Sequence, residues 1–275
     1  MELTNDYQGM QDMVKGLAKQ AELLDELPRI NISDKNPWKQ CEKKVMIVFQ
    51  SRTGTTWLCD LLKKTNVLGH PRESLHASHL ISEFKEKKYD NFNDLMVHNV
   101  AAHMTENGVY SAKSGFFSLA PMFLLEEFPA NIRTWKFIFM KRIDELGQAI
   151  SSYKLNLNRQ AASWVESKRE ICDDDYSFKE ISRELRNVRN ANHTISIMLK
   201  SYDCDFIELY YENLSEDPEA TLKLIAGFVG VELDKINLDT KFEIQRNEIS
   251  EIWKERWLSE SINYNPLNKR IHFFE

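Results

Sequence analysis

The sequence has few of the residues that form long loops, disulfide cross-links or membrane spans. Among 275 residues there are only 9 glycines and 7 prolines, which favours a chain rich in helices with few long loops. No apolar run reaches the roughly 18 residues that a transmembrane helix needs. The N-terminal residues MELTNDYQGM lack the basic start and apolar core of a secretory signal, so we expect none.

Charge and cysteine content narrow the class of protein further. The net charge of −6 argues against a general nucleic-acid-binding protein, although a local basic pocket for an anionic cofactor is compatible with it. The four cysteines show no paired spacing, so we expect reduced thiols and a cytoplasmic protein. With 28% charged and 42% hydrophobic residues, the composition is that of a globular protein.

Strands and helices alternate along the chain, which predicts an α/β fold with a central, mostly parallel sheet flanked by helices. The predicted strands lie at 45–49, which is a continuous apolar run, and at 108–113, 135–140 and 205–210. Beyond the helix that follows the first strand, helices are predicted at 3–27, 77–106 with a break near 89–91, 119–128, 144–170, 176–201, 217–229 and 241–257. We expect an N-terminal helix and connector over 1–44 and one globular domain over 45–275.

The segment 45–65, VMIVFQSRTGTTWLCDLLKKT, is the most informative part of the sequence. It predicts a buried strand, a tight turn over 51–56, and a helix with one apolar face. A turn between a strand and a helix N-terminus directs several backbone N–H groups to one point, with the positive end of the helix dipole behind them. Such a turn binds a phosphate or sulfate group. Gly54 allows the anion to approach closely, and Arg52 adds a charge-assisted donor.

Hydroxyl groups supply further donors in the same turn, from Thr53, Thr55 and Thr56. The turn does not match the P-loop of nucleotide triphosphatases, which is longer and ends in Gly-Lys-Ser/Thr. An ordinary capped strand-to-helix turn is the alternative. Four hydroxyl residues, one arginine and one glycine within six residues favour the anion site.

The turn resembles the 5′-phosphosulfate loop of the sulfotransferases, which binds the donor 3′-phosphoadenosine 5′-phosphosulfate (PAPS). Ser51 stands where that pattern usually has proline, and the sequence then fits through Leu58. The continuation over 59–75 resembles the bacterial carbohydrate sulfotransferases typified by trehalose 2-sulfotransferase. The resemblance implies that the donor is bound in this loop by Ser51, Arg52, Thr53, Gly54, Thr55 and Thr56.

This family resemblance also implies a fold and an activity. The fold would be a P-loop-like sulfotransferase fold with helical insertions. The activity would be transfer of a sulfuryl group from PAPS to a hydroxyl of a carbohydrate or glycolipid, without a metal. Arg52 would neutralise the charge that develops on the leaving phosphate. The resemblance further suggests a homodimer.

A second candidate cofactor site follows the predicted strand at 135–140. Arg142 lies near the carboxyl end of that strand, where ligands bind in open parallel sheets. The segment 142–151, RIDELGQAIS, resembles the segment with which sulfotransferases hold the 3′-phosphate, which implies that role for Arg142 and Ser151. Arg142 precedes Ser151 by nine positions, one more than is usual in the family. A surface ion pair between Arg142 and Asp144 is the alternative.

Sulfuryl transfer also needs a general base that takes the proton of the acceptor hydroxyl. Glu73 matches the glutamate that the trehalose-type family places as base, and the resemblance implies this role for it. His70, His76 and His79 are alternative bases, because many other sulfotransferases use histidine at this step. His70, His76 and Lys113 are candidate substrate-binding residues. The non-catalytic alternative for Glu73 is a carboxylate that stabilises a helix N-terminus.

Two other functions stay open at this point. A small-molecule kinase would also bind phosphate, but the sequence lacks Gly-Lys-Ser/Thr and a metal-binding aspartate at a strand end. A non-catalytic nucleotide-binding homologue is compatible with the departures at Ser51 and Arg142.

Overall fold

The computed structural model describes residues 37–116, 118–119, 132–158, 169–239 and 248–263, together with Glu22. The helices predicted at 3–27 and 119–128 fall almost entirely outside these residues, and so does the first part of the predicted tail helix.

The described residues include four strands and eight helices of six or more residues. The strands are β1 Lys43–Phe49, β2 Val109–Gly115, β3 Trp135–Lys141 and β4 Asp205–Tyr210. The helices are α1 Thr55–Thr65, α2 Ala77–Lys87, α3 Phe92–His103, α4 Glu145–Asn158, α5 Phe178–Ser201, α6 Tyr211–Glu216, α7 Pro218–Val229 and α8 Glu248–Asn263. Short 3₁₀ turns lie at Pro37–Gln40, Ile132–Thr134 and Asp173–Asp175.

The sheet has the strand order β2-β1-β3-β4, and all three strand pairs are parallel. The predicted α/β class with a parallel sheet is therefore confirmed. From β1 the chain goes first to one side of the sheet, to β2, and then to the other side, to β3. The carboxyl ends of β1 and β3 thus form the topological switch point at which α/β sheets bind ligands.

The described residues fall into two compact units. The first comprises those of Met1–Ile143 and Ala191–Thr240, and the second those of Asp144–Asn190 and Lys241–Glu275. In the first unit the sheet is buried on both faces, which explains the continuous apolar run of β1. Met46 and Val48 join the core on one face, whereas Val45 and Ile47 join the core on the other.

The second unit has its own small core around Trp253, which is fully buried. Ile150 and Ile181 pack against this indole, and its N–H donates a 3.1 Å hydrogen bond to Asp173 Oδ1. An ion pair at 2.9 Å joins Lys254 Nζ of α8 to Oδ1 of Asp144, the residue directly before α4.

Several predicted boundaries were wrong. The helix predicted over 144–170 is helical from Glu145 to Asn158, but residues 169–172 are not helical. There the N–H of Cys172 donates to Asp175 Oδ2 at 3.1 Å and starts a 3₁₀ turn.

Two element starts also differ from their predictions. The helix predicted from Tyr176 starts at Phe178, because the Ser177 hydroxyl accepts a hydrogen bond from the N–H of Glu180 at 3.3 Å. Lys43 and Lys44 belong to β1 rather than to the connector. None of the helices in the described part of the chain combines the length and the apolar character needed to cross a membrane.

Candidate active site

The candidate donor loop joins β1 to α1, as the sequence predicted. Gly54 is the N-cap residue of α1 and has the left-handed φ of 75°, and Arg52 has a φ of 69°. Since glycine has no side chain, Gly54 provides no side-chain acceptor for the first N–H groups of α1. These groups therefore point out of the helix end at the carboxyl edge of the sheet, a geometry that binds anions.

Tyr211 makes the glycine at position 54 necessary. A Cβ atom at Gly54 would lie 2.5 Å from Tyr211 Cδ2, which is far inside normal contact distance. The same ring lies 5.3 Å from the guanidinium carbon of Arg142, within cation–π range. Tyr211 therefore packs against both predicted anion-binding elements, the loop after β1 and the arginine after β3.

Arg52 and Arg142 place two positive charges at the switch point. Burial lowers the pKa of the Arg52 guanidinium, and the charge of Arg142 lowers it further. Glu212 offsets part of this charge, since its Oε1 lies 3.8 Å from Arg142 Nε. Its Oε2 accepts a 2.9 Å hydrogen bond from the N–H of Ile143, which fixes the backbone after β3. Two neighbouring guanidinium groups beside an uncapped helix N-terminus form an electropositive site suited to an anion.

Two of the four hydroxyl residues of the loop are buried and two are exposed. Thr53 is fully buried, and its hydroxyl donates to the Gln50 carbonyl at 3.1 Å, so it closes the turn. Thr55 is also buried. Thr56 is exposed, and its Oγ1 lies 3.3 Å from Lys113 Nζ. Ser51 is exposed as well.

The structure brings Glu73 and Lys113 together beside this loop. Glu73 Oε1 lies 3.1 Å from Lys113 Nζ, and the side chain of Lys113 is 12% exposed whereas that of Glu73 is 41% exposed. The Lys113 N–H donates to the Arg72 carbonyl at 2.8 Å, which ties β2 to the segment that carries Glu73. One ammonium nitrogen thus bridges the candidate base and the start of α1.

The backbone around Glu73 is held at several points. His79 Nδ1 lies 3.0 Å from the Glu73 carbonyl oxygen. Asn99 donates from Nδ2 to the Ser74 carbonyl at 3.2 Å, and the buried Tyr110 hydroxyl donates to Asn99 Oδ1 at 3.1 Å. These contacts fix the candidate base on a rigid support, as a catalytic carboxylate requires.

Two of the candidate histidines, His76 and His79, make contacts with nearby backbone atoms. His76 Nδ1 accepts a 3.3 Å hydrogen bond from the Ser78 N–H and so caps α2. Burial lowers the pKa of His76, and the charge of His79 lowers it further, while Glu73 opposes the shift. Burial also lowers the pKa of His70, with smaller effects from nearby Lys63 and Arg72.

Ser151 lies on α4 in the second unit and is half-buried. Its assignment to the 3′-phosphate stays a prediction. Within the described residues no group of histidine, cysteine, aspartate or glutamate side chains is arranged to hold a metal ion.

Tyr211 and Glu212 are the site residues that the sequence analysis missed. The signal available for them was their position directly after β4, at the same sheet edge as Arg52 and Arg142. Their contacts with Gly54 and Arg142 depend on strand order, which the sequence pattern alone did not specify.

Comparison with protein families gives the class of the chain. The family model described as Stf0 sulphotransferase matches residues 126–260. The chain is a sulfotransferase. The matched part of this sulfotransferase contains β3, Arg142, β4 and the Tyr211–Glu212 pair, whereas the loop after β1 precedes the matched residues.

Solved structures similar to this sulfotransferase include three that are described here. The sulfotransferase domain of the olefin synthase from Synechococcus PCC 7002 is 15% identical, with a TM-score of 0.43 over 84% of this chain and 98% of that one. Sulfotransferase STF9 from Mycobacterium avium is 14% identical, with a TM-score of 0.43 over 92% and 76%.

The third structure is retinol dehydratase in complex with androsterone and the inactive cofactor PAP. It is 16% identical, with a TM-score of 0.42 over 88% of this chain and 69% of that one. At such TM-scores these likenesses carry no argument about the site. No curated protein sequence matches the chain.

Proposed function

We propose that this sulfotransferase transfers a sulfuryl group from PAPS to a hydroxyl of a carbohydrate or glycolipid. The observation that carries the donor assignment is the pair of Arg52 and Arg142 beside the uncapped N-terminus of α1. A donor with a phosphosulfate at one end and a 3′-phosphate at the other supplies anions for both arginines. The resemblance of 59–75 to the trehalose-type family supports the acceptor class.

The loop after β1 would bind the phosphosulfate. In an in-line transfer the acceptor oxygen forms a bond to sulfur while the bond from sulfur to the phosphate oxygen breaks. The electron pair of the broken bond stays on the phosphate, which leaves as part of 3′-phosphoadenosine 5′-phosphate (PAP). Arg52 and the first amides of α1 would stabilise this charge.

Arg142 and Ser151 would hold the 3′-phosphate. Tyr211 and Glu212 orient the guanidinium of Arg142 through the ring contact and the carboxylate contact described above. A guanidinium fixed in this way loses little side-chain entropy when a phosphate binds.

Glu73 would take the proton of the acceptor hydroxyl. The bridge that Lys113 forms between Glu73 and Thr56 supports this role, because the phosphosulfate would bind at the start of α1. A cytoplasmic location agrees with the four free thiols among the described residues, and a homodimer stays a prediction.

A transfer assay tests this function. PAPS labelled in its sulfate is incubated with a panel of sugars and glycolipids, and labelled product is separated and counted. We expect transfer to at least one acceptor, loss of transfer in Arg52→Ala, and normal transfer in Arg133→Ala. Arg133 is a matched control because it precedes β3 at the opposite end from Arg142 and is 75% exposed. Undiminished turnover by Arg52→Ala would contradict the loop assignment.

The same acceptor panel, incubated with labelled ATP and magnesium in place of PAPS, tests the kinase alternative. Phosphate transfer from ATP with magnesium, without sulfate transfer from PAPS, would overturn the proposal. Binding of PAPS without transfer to any acceptor would instead indicate a non-catalytic homologue.

A further inference from the structure

Lys113 lies between Glu73, the proposed base, and the N-terminus of α1, where the donor would bind. Its ammonium nitrogen lies 3.1 Å from Glu73 Oε1 and 3.3 Å from Thr56 Oγ1. Thr56 is the second residue of α1, so the same nitrogen sits at the helix end where the donor anion would bind. The same nitrogen lies over the ring of Phe49, 5.6 Å from the ring centroid.

We propose that Lys113 is shared between the base and the donor, an inference that rests on the proposed function. It pairs with Glu73 as the structure shows, and it moves to the 5′-phosphate, which PAPS and PAP share, once either nucleotide binds. The move releases Glu73 Oε1 to accept the proton of the acceptor hydroxyl. Donor binding would therefore precede productive acceptor binding.

The charges and flexibility of this contact support an exchange. Lysine is a point charge on a flexible stem, so its ammonium can turn from one anion to another with little change of backbone. The backbone of β2 stays fixed meanwhile, because the Lys113 N–H donates to the Arg72 carbonyl. A carboxylate and a phosphosulfate then compete for one ammonium.

If Glu73 and the donor compete for the Lys113 ammonium, substitutions at either residue should change PAP affinity, which can be measured without turnover. Glu73→Gln removes the competing charge and should tighten PAP binding roughly fivefold or more. Lys113→Met removes the shared group and should weaken PAP binding roughly 10- to 100-fold. In the Lys113→Met background, Glu73→Gln should change PAP binding less than twofold, so the two substitutions are strongly non-additive.

Calorimetric titration of the four proteins with PAP tests the inference. The matched control cycle uses Lys223→Met and Glu219→Gln, an exposed ion pair at 2.7 Å on α7, and should leave PAP binding unchanged. Thermal unfolding of every variant checks that the fold is intact. If Lys113→Met does not fold, Lys113→Gln replaces it, and the Glu73→Gln effect should again be lost because the cation is removed.

The titration results distinguish failure of the Lys113 inference from failure of the proposed donor assignment. Additive effects of Glu73→Gln and Lys113→Met, with normal PAP binding by the unchanged protein, would overturn the shared role of Lys113 alone. Absence of PAP binding by the unchanged protein would overturn the donor assignment itself.

Discussion

Substitution of Gly54 by alanine should damage both the stability of the protein and its donor site. The left-handed backbone at Gly54, with φ of 75°, costs an alanine about 1–2 kcal/mol. The added Cβ would also lie 2.5 Å from Tyr211 Cδ2, and relieving such an overlap costs about 1–3 kcal/mol. We therefore expect the free energy of unfolding to fall by about 2–5 kcal/mol.

The loss should extend to the ligand, because Tyr211 has to move. Its ring contacts the guanidinium of Arg142 on the other side of the site, so displacement of the ring disturbs the second arginine as well. We expect PAP to bind at least about tenfold more weakly, equivalent to about 1.4 kcal/mol.

Denaturant unfolding and calorimetric titration with PAP measure these two effects, with Gly227→Ala as the matched control. Gly227 lies within α7, and nothing lies within 4 Å of a Cβ built there. Alanine at this helical position should stabilise the protein by about 0.5–1 kcal/mol and leave PAP binding unchanged. Equal stability and equal PAP affinity in the two alanine variants would refute the assigned role of the Gly54–Tyr211 contact.

Three further predictions follow from individual residues. Glu73→Gln should bind PAP at least as tightly as the unchanged protein but transfer sulfate roughly 10²–10⁴-fold more slowly, and weakened PAP binding would argue against its role as base. Burial raises the pKa of the Cys59 thiol to about 12. Iodoacetamide at pH 8 should therefore modify the exposed Cys172 and spare Cys59, which peptide mass analysis would show. Rapid modification of Cys59 in the folded protein would contradict its burial. Asp217→Ala should lower the free energy of unfolding by about 1 kcal/mol, because its Oδ1 caps α7 by accepting from the Ala220 N–H at 2.8 Å, and an unchanged denaturation midpoint would contradict the cap.

The two central strands, β1 and β3, could be predicted because each contains a short run of apolar residues. The continuous run of β1 and the apolar residues of β3 predict buried parallel strands, and the structure confirms them. The helix boundaries near 144–170 and Tyr176 could not be predicted as well. They depend on local hydrogen bonds of Cys172 and Ser177 that compete with helix formation.

One part of the candidate site could be predicted from the sequence, and another part could not. The turn from Ser51 to Thr56 predicts an anion site because strand, turn and helix are contiguous in sequence. The contacts of Tyr211 with Gly54 and Arg142 join three separate segments, and only the strand order β2-β1-β3-β4 brings them to one place. The contact between Glu73 and Lys113 likewise depends on the pairing of β1 with β2.

Calorimetric titration with PAP, against ATP with magnesium as control, tests the central claim most directly. The account predicts micromolar binding of PAP that weakens in Arg52→Ala and Arg142→Ala and is unchanged in Arg133→Ala. Binding of ATP with magnesium but not of PAP would contradict the account.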